Sequence, residues 1–382
     1  MAVLALASAI GMRLELPGKL FLDFTRKRVV ARHRCYCEPW HRGKPPVSGE
    51  DPSTRWEGTP ISSKPLPRVE CEWLVDPAPG RWFWYFPVVV FGGGEAHLVL
   101  NPAAGKGRAG GRLTLVSRFL EERGVSPVWH ATEGPGHAGE IVRGLPEGVP
   151  VVAVGGDGTV HEVAAACVGT RRVMGVLPAG SGNDYVKALG AGTDLARALG
   201  VLVGGRVGVV DAGEVNGVRF NNGLGVGFDA EVAAGVAEAP DYLGGTGGYA
   251  WSVGRLLWGF RCHEASLVLD GEIIEAKTIL VAVALGTTYG SIFRLAPGAV
   301  LDDGLFDVVW SEEVSRAEVL RLIPAALRGT LGNHPKVHVA RAREVALDMA
   351  EEIPAHVDGE MLGPTSHFRA RVLPGALRVV AP

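Results

Sequence analysis

Between residues 97 and 206, short apolar runs alternate with stretches whose apolar positions recur at helical spacing. The runs at 97–100, 149–154 and 173–177 read as buried strands. Leu113, Val116, Phe119 and Leu120 share one helical face and predict a helix over 109–123. A short strand at 128–131 leads to Thr132, 136–143 reads as a short helix, and further helices open at Val160 and Tyr185. Strands alternating with helices predict a doubly wound parallel sheet. From residue 207 the pattern changes to β-rich runs at 207–215, 218–223, 265–269, 279–284, 306–310, 336–340, 344–349 and 354–357. Asp270-Gly271 and Asp358-Gly359 are hairpin dipeptides. The second half therefore predicts an antiparallel β-sandwich with a few helices inserted.

Residues 1–96 sustain neither pattern. They hold 11 of the 25 prolines, five of the nine tryptophans and three of the five cysteines. They read as an irregular N-terminal extension outside the folded domains, with a partner-binding region as the other reading.

Three predicted strands end in glycine-rich turns with polar residues. These are Asn101-Pro102-Ala103-Ala104-Gly105-Lys106-Gly107, Gly155-Gly156-Asp157-Gly158-Thr159 and Pro178-Ala179-Gly180-Ser181-Gly182-Asn183-Asp184. Ligands of open α/β sheets bind at the carboxyl ends of strands. Glycines admit a close backbone approach, and the amides at a helix start favour an anion. Asp157 would repel a bare phosphate, so the turn points to magnesium and a nucleotide. A tight turn with a capping Asp would present the same pentapeptide. Gly105-Lys106-Gly107 is not a Walker A loop, and Lys106 reads as an exposed loop cation.

Length and composition limit the alternatives. A chain of 382 residues exceeds the usual single domain. Hydrophobic residues make up 47% and mean hydropathy is +0.18, enough for a large core. A net charge of −3 argues against bulk nucleic-acid binding. Cys35, Cys37, Cys71, Cys167 and Cys262 suggest no disulfide framework, and a reducing compartment fits. A zinc site at Cys35, Cys37, His33 and His41 lacks a second spaced ligand pair. No run reaches the roughly 18 apolar residues of a membrane span. The stretch 82–91 is too short, and the start, 1–12, lacks the basic region of a signal peptide.

Taken with Asn221-Asn222-Gly223-Leu224-Gly225-Val226-Gly227-Phe228-Asp229-Ala230, Leu301-Asp302-Asp303-Gly304-Leu305-Phe306-Asp307-Val308 and Val357-Asp358-Gly359-Glu360, the three turns resemble the diacylglycerol kinase catalytic family, which includes sphingosine kinases. The resemblance spans about 97 to 380; His161 stands where the family often has Asn. It implies an α/β nucleotide-binding domain at 97–206, a β-sandwich lipid-substrate domain at 207–375, and a return of 376–382 to the first domain. The implied overall fold is NAD-kinase/diacylglycerol-kinase-like. The implied activity is transfer of the γ-phosphate of ATP, with Mg2+, to a lipid hydroxyl, diacylglycerol by default.

The same resemblance implies nucleotide contacts from Asn101, Pro102, Ala103, Ala104, Gly105, Thr132, Gly155, Gly156, Asp157, Gly158, Thr159, Val160, His161, Glu162, Gly180, Ser181, Asn183 and Asp184. For Thr132 and Ser181, helix capping explains the residues equally well. Glu360 matches the family's general base, with Asp157 beside the phosphates; on the residues alone Glu360 is an exposed hairpin position. Asp303, with the carbonyls of Val300 and Leu305, resembles a structural magnesium site, although Asp303-Gly304 also makes a simple turn. Trp251, Arg255 and Trp258 at helical spacing over 249–260 could meet a membrane or fill a core. His334, Lys336, His338 and Arg341 could face headgroups or only solvent. Expected partners are a lipid at a membrane surface and no nucleic acid, and a homodimer is compatible. The expected location is cytoplasmic, peripheral at the inner face of the cell membrane. NAD kinase shares the Gly-Gly-Asp-Gly-Thr turn, but 178–184 and Asp358-Gly359-Glu360 favour lipid kinases. A catalytically inert sensor is the remaining alternative.

Overall fold

The computed structural model describes residues 94–105, 107, 109–237, 251–252, 254–255 and 261–382, together with two earlier strands. The expectations for Lys106, Trp258, the stretch 82–91, the start 1–12 and the cysteines at 35 and 37 lie outside the described residues.

The two earlier strands, β1 (Val29–Arg34) and β2 (Glu70–Val75), pair antiparallel with Val29 opposite Val75. They belong to a compact unit ending at Pro87. The expected irregular extension thus holds one strand pair. Six-residue strands are too short to set a period in a helix-length window, and each needs a partner distant in sequence.

The second unit begins at Val88. Its first half runs β3 (Gly94–Leu100), α1 (Leu113–Glu121), β4 (Val125–Ala131), α2 (His137–Gly144), β5 (Val151–Gly155), α3 (Asp157–Cys167), β6 (Val173–Pro178), α4 (Asp184–Ala188) and α5 (Leu195–Gly204). Strands β3 to β6 pair in parallel in the order β6-β5-β3-β4, so their carboxyl ends share one edge. β3 starts three residues before the expected position, because Gly94 already pairs with Val125. A chain begun at Val88 is expected to keep wild-type transfer activity. Insoluble or inactive protein would show that residues 1–87 support the fold.

The second half runs β7 (Arg206–Val215), β8 (Val218–Phe220), β9 (Gly223–Gly227), α6 (Phe228–Ala237), β10 (His263–Leu269), β11 (Glu272–Thr278), β12 (Leu280–Ala284), β13 (Phe306–Ser311), α7 (Arg316–Arg328), β14 (Val337–Ala342), β15 (Glu344–Ile353), β16 (Ala355–Val357), β17 (Glu360–Met361) and β18 (Thr365–Ala381). A six-stranded antiparallel sheet has the order β14-β13-β12-β9-β16-β17. It packs on the β10-β15-β18 ladder through a core that includes Phe220, Leu224, Leu267, Phe306, Leu347 and Phe368.

One strand joins the two halves. The first part of β18 pairs antiparallel with β15, and its end pairs in parallel with β6 through Arg378 and Val379. The β-rich half and the α/β half therefore share one ten-stranded sheet. A register shift between Leu373 and Leu377 bends β18 against β7. The Asp211 carboxylate fixes this bend by accepting the Gly375 amide at 2.8 Å and the Gly304 amide at 2.7 Å.

Candidate active site

The loops after β3, β4, β5 and β6 line one edge of the parallel sheet. After β3, Asn101 turns the chain by accepting the Ala103 amide at 3.0 Å, an Asx turn. Thr132 follows β4, and its amide bonds the Leu100 carbonyl at 2.8 Å. After β5, helix α3 opens with Gly156 as its N-cap and no side-chain cap. Its first amides therefore remain available to an anion.

Steric contacts require glycine in both main loops. A Cβ at Gly155 would overlap the Thr159 side chain. Gly156 and Gly180 pack backbone on backbone, and a Cβ at Gly180 would overlap the Gly156 Cα. The 155–159 and 178–184 turns thus form one continuous cradle.

Asp157 joins them. Its carboxylate accepts the Asn183 amide and the Asp184 amide, each at 2.7 Å, and so caps α4 from across the cradle. Asn183 adopts left-handed geometry (φ 54°) and bonds both the amide and the carbonyl of Gly180. A Cβ at Gly182 would overlap Asp157. Burial and the nearby Asp184 push the Asp157 carboxyl up to about 6, despite the opposing amide bonds. A half-buried carboxylate beside a second one is where a cation would relieve repulsion, so Asp157 fits a magnesium bound with a nucleotide.

This shift has a kinetic consequence. Protonated Asp157 cannot accept both amides or oppose a cation. The rate constant kcat/KM for ATP is expected to fall as pH drops through about 6, with the ionised form active above it. A pH profile flat down to 5 would contradict this.

Glu360 reaches the cradle from the other half of the chain. The turn between β16 and β17 holds Asp358 at φ 52° and Gly359 at φ 92°. Asp358 accepts the amides of Asn221 (2.9 Å), Asn222 (2.8 Å) and Gly223 (2.8 Å). It also lies 2.7 Å from His161 Nδ1 on α3. This pin sets the exposed Glu360 over the start of α3: a Cβ at Gly158 would lie 2.5 Å from Glu360 Oε1. Burial opposes charge on His161, but the hydrogen bond and charge of Asp358, with Glu360 and Glu162, outweigh it and raise the His161 pKa.

Several sequence-predicted residues do support work. Glu162 accepts the amides of Gly136 (2.7 Å) and Ala138 (2.9 Å), fixing the loop after Thr132. Asp184 accepts the Ser291 amide at 2.9 Å, and Lys187 bonds both Asp184 and the Ser291 carbonyl. Pro102, Ala103, Ala104 and Gly105 form the turn after β3, Val160 is buried in α3, and Ser181 is exposed on the cradle.

At 300–305, Asp303 meets Arg341 at 2.9 Å and accepts the Leu305 amide at 3.2 Å. Arg341 also lies 3.6 Å from Asp307. A guanidinium thus supplies the positive charge expected from a metal, and no cluster of three ligating side chains occurs among the described residues. Two other members of the basic run are paired too: Lys336 with Glu318 (2.8 Å) and His338 with Glu312 (2.9 Å). Trp251 is half-buried, with the Arg255 guanidinium 5.0 Å from its ring centre.

A cavity of about 470 Å³ opens beside Asp157 and Ser181. Asp229, His356 and Asp358 line it, and it continues among Leu322, Ile323, Ala326, Leu331 and Val337. Asp229, part of the 221–230 motif, lies 3.7 Å from His356, which was not among the sequence candidates. The signal was Gly225: a Cβ there would overlap Asp229 and sit 2.6 Å from His356 Nε2. Alternate glycines at 223, 225 and 227 on one strand mark such a close approach.

A phosphate cradle with a carboxylate at its rim, opening on an apolar cavity, has the layout of a kinase acting on a lipid alcohol. The comparisons agree. Residues 95–215 match the diacylglycerol kinase catalytic domain, and 223–381 match the YegS C-terminal NAD kinase beta sandwich-like domain. A diacylglycerol kinase of Bacillus subtilis (strain 168) is 30% identical over 274 residues, covering 70% of this chain and 90% of that protein. A diacylglycerol kinase of Staphylococcus carnosus (strain TM300) is 30% identical over 273 residues, covering 70% and 89%. The crystal structure of a diacylglycerol kinase from Bacillus anthracis str. Sterne superposes with a TM-score of 0.60 at 22% identity, covering 75% and 97%, and shares the fold. The chain belongs to the diacylglycerol kinase family.

Proposed function

We propose that this enzyme transfers the γ-phosphate of ATP to the free hydroxyl of diacylglycerol, giving phosphatidic acid. The observation that carries the reading is Glu360 over Gly158 at the start of α3, while its turn neighbours Asp358 and Gly359 line the apolar cavity. In this reading, residues 97–206 with 376–382 bind the nucleotide and 207–375 receive the lipid. The amides of 156–159 and of Ser181 and Gly182 hold the phosphates, since those of Gly180 and Asn183 are already bonded, and Asn101 and Thr132 border them. Glu360 accepts the acceptor hydroxyl proton as that oxygen attacks the γ-phosphorus and the bond to the β-phosphate oxygen breaks. Magnesium, when bound with ATP, supplies positive charge against the phosphates; Asp157 would hold it directly or through water. A magnesium at Val300, Asp303 and Leu305 would share the Asp303 carboxylate with Arg341.

The cavity supports a lipid acceptor, because its deep wall is aliphatic while its rim carries carboxylates and a histidine. No helix among the described residues is long and apolar enough to cross a membrane. The enzyme would therefore take its lipid from a membrane surface. Incubation with labelled ATP and a panel of diacylglycerol, monoacylglycerol and sphingoid bases tests the substrate. Label in phosphatidic acid supports the reading, and label only in another product reassigns the acceptor. Size-exclusion chromatography tests the homodimer.

A further inference from the structure

We infer that the outer face of α7 docks the protein on an anionic lipid bilayer. The inference rests on the lipid-kinase reading and identifies the surface through which the lipid arrives.

Helix α7 starts with a capping box in which Ser315 and Glu318 satisfy each other's backbone amides, and it ends at Gly329 in left-handed geometry. It is thus fixed at both ends. Its inner face, Val319, Leu322 and Ala326, is buried and lines the cavity. Leu320 and Leu327, seven residues apart, lie on one side of the helix and are 55% and 42% exposed. Ile323 falls between the two faces: it is half-buried and still reaches the cavity wall. Two exposed leucines therefore adjoin the wall of the lipid cavity through a single side chain. An acyl chain leaving the bilayer at Leu320 would next meet Ile323.

The charge around these leucines selects the partner. Arg321 and Arg328 are exposed on the same helix. Arg294 joins them, because its amide donates to the Ala326 carbonyl at 2.8 Å and its side chain is exposed beside the helix end. Nearby carboxylates are already countered: Glu318 by Lys336 at 2.8 Å and Glu313 by Lys277 at 2.5 Å. Aliphatic side chains flanked by arginines match the boundary of an anionic leaflet, with leucines among acyl chains and guanidinium groups at phosphates. A water-soluble apolar ligand would not use the arginines, and a free anion would not use the leucines.

The test measures sedimentation with phosphatidylglycerol/phosphatidylcholine vesicles and with pure phosphatidylcholine vesicles, without ATP. Wild-type protein is expected to bind the mixed vesicles and to release with added salt. Leu320→Glu/Leu327→Glu is expected to weaken that binding at least tenfold, on the order expected for two charges placed at an interface. It should leave thermal unfolding and turnover of a dispersed short-chain diacylglycerol unchanged, since neither residue lines the cavity. Arg321→Glu/Arg328→Glu should weaken binding and flatten its salt dependence. Wild-type affinity in the leucine variant overturns the docking face. Equal binding to pure phosphatidylcholine overturns the anionic partner. Failure of wild-type protein to phosphorylate any lipid would instead overturn the kinase reading, while the vesicle result would still decide the docking face.

Discussion

Replacing Glu360 by Gln is expected to lower kcat on the order of 100-fold or more and to leave the KM for ATP nearly unchanged. Gln keeps the size and hydrogen bonding of the side chain but cannot take the proton from the attacking hydroxyl. The turn should hold its shape, because Asp358 rather than Glu360 binds the amides of 221–223 and meets His161. Steady-state kinetics with ATP and diacylglycerol in mixed micelles measure both constants. A near-normal kcat would move the base elsewhere. Asp358 is then a poor second choice, since three amides and an imidazole already engage it. Asp229 is the better one: it lines the cavity, and its Oδ2 makes no hydrogen bond among the described residues. A collapse of ATP affinity would place Glu360 in the phosphate or metal network instead.

Asp157→Ala is expected to abolish measurable transfer in a protein that still folds. Two opposing effects govern the fold. Loss of the carboxylate strips the amides of Asn183 and Asp184 of their acceptor, at about 1–3 kcal/mol each. It also removes a buried charge whose pKa is lifted from 3.8 to about 6, which relieves roughly 3 kcal/mol at neutral pH. The terms are of similar size, so the variant's melting temperature near pH 8 should stay within several degrees of wild type. Their balance depends on pH. The folded state takes up the Asp157 proton before the unfolded state does, so wild-type protein gains stability relative to the variant as pH falls from above 6 toward 4. Differential scanning fluorimetry at pH 5 and pH 8 reads this directly. Wild-type turnover in the variant would remove Asp157 from the mechanism.

The α/β half was legible because its elements follow local rules. Strand, glycine turn and helix start are contiguous in the 151–167 segment, and the apolar positions of α1 repeat within one window. The β-rich half was legible in outline only. The 344–349 run extends as a strand to Ile353, and 218–223 divides into β8 and β9. Asn221 and Asn222 break it because their amides turn toward Asp358, a residue more than 130 positions away. The β1–β2 pair escaped for the same kind of reason: neither strand carries a lasting period, and their pairing is non-local.

The sequence by itself determined where phosphate chemistry could occur. Glycines at 155, 156, 180 and 182 and the carboxylate at 157 are requirements of close backbone approach, and such requirements appear as residue identities. It also determined Glu360 as a candidate, though only through resemblance, since an exposed hairpin glutamate has no local signature. What the tertiary structure decided was which groups meet. The Asp157 carboxylate was readable, but its grip on the amides of Asn183 and Asp184 was not, nor was the resulting rise in its pKa. The two amides that Glu162 accepts in the loop before α2 were not readable either. The pairing of Arg341 with Asp303 was not readable. In each case the outcome depends on hydrogen bonds and charges brought together from separate elements: the loops after β5 and β6, α3 with the loop before α2, and β14 with the turn before β13. Such contacts join distant positions, and neither periodicity nor a short motif encodes them.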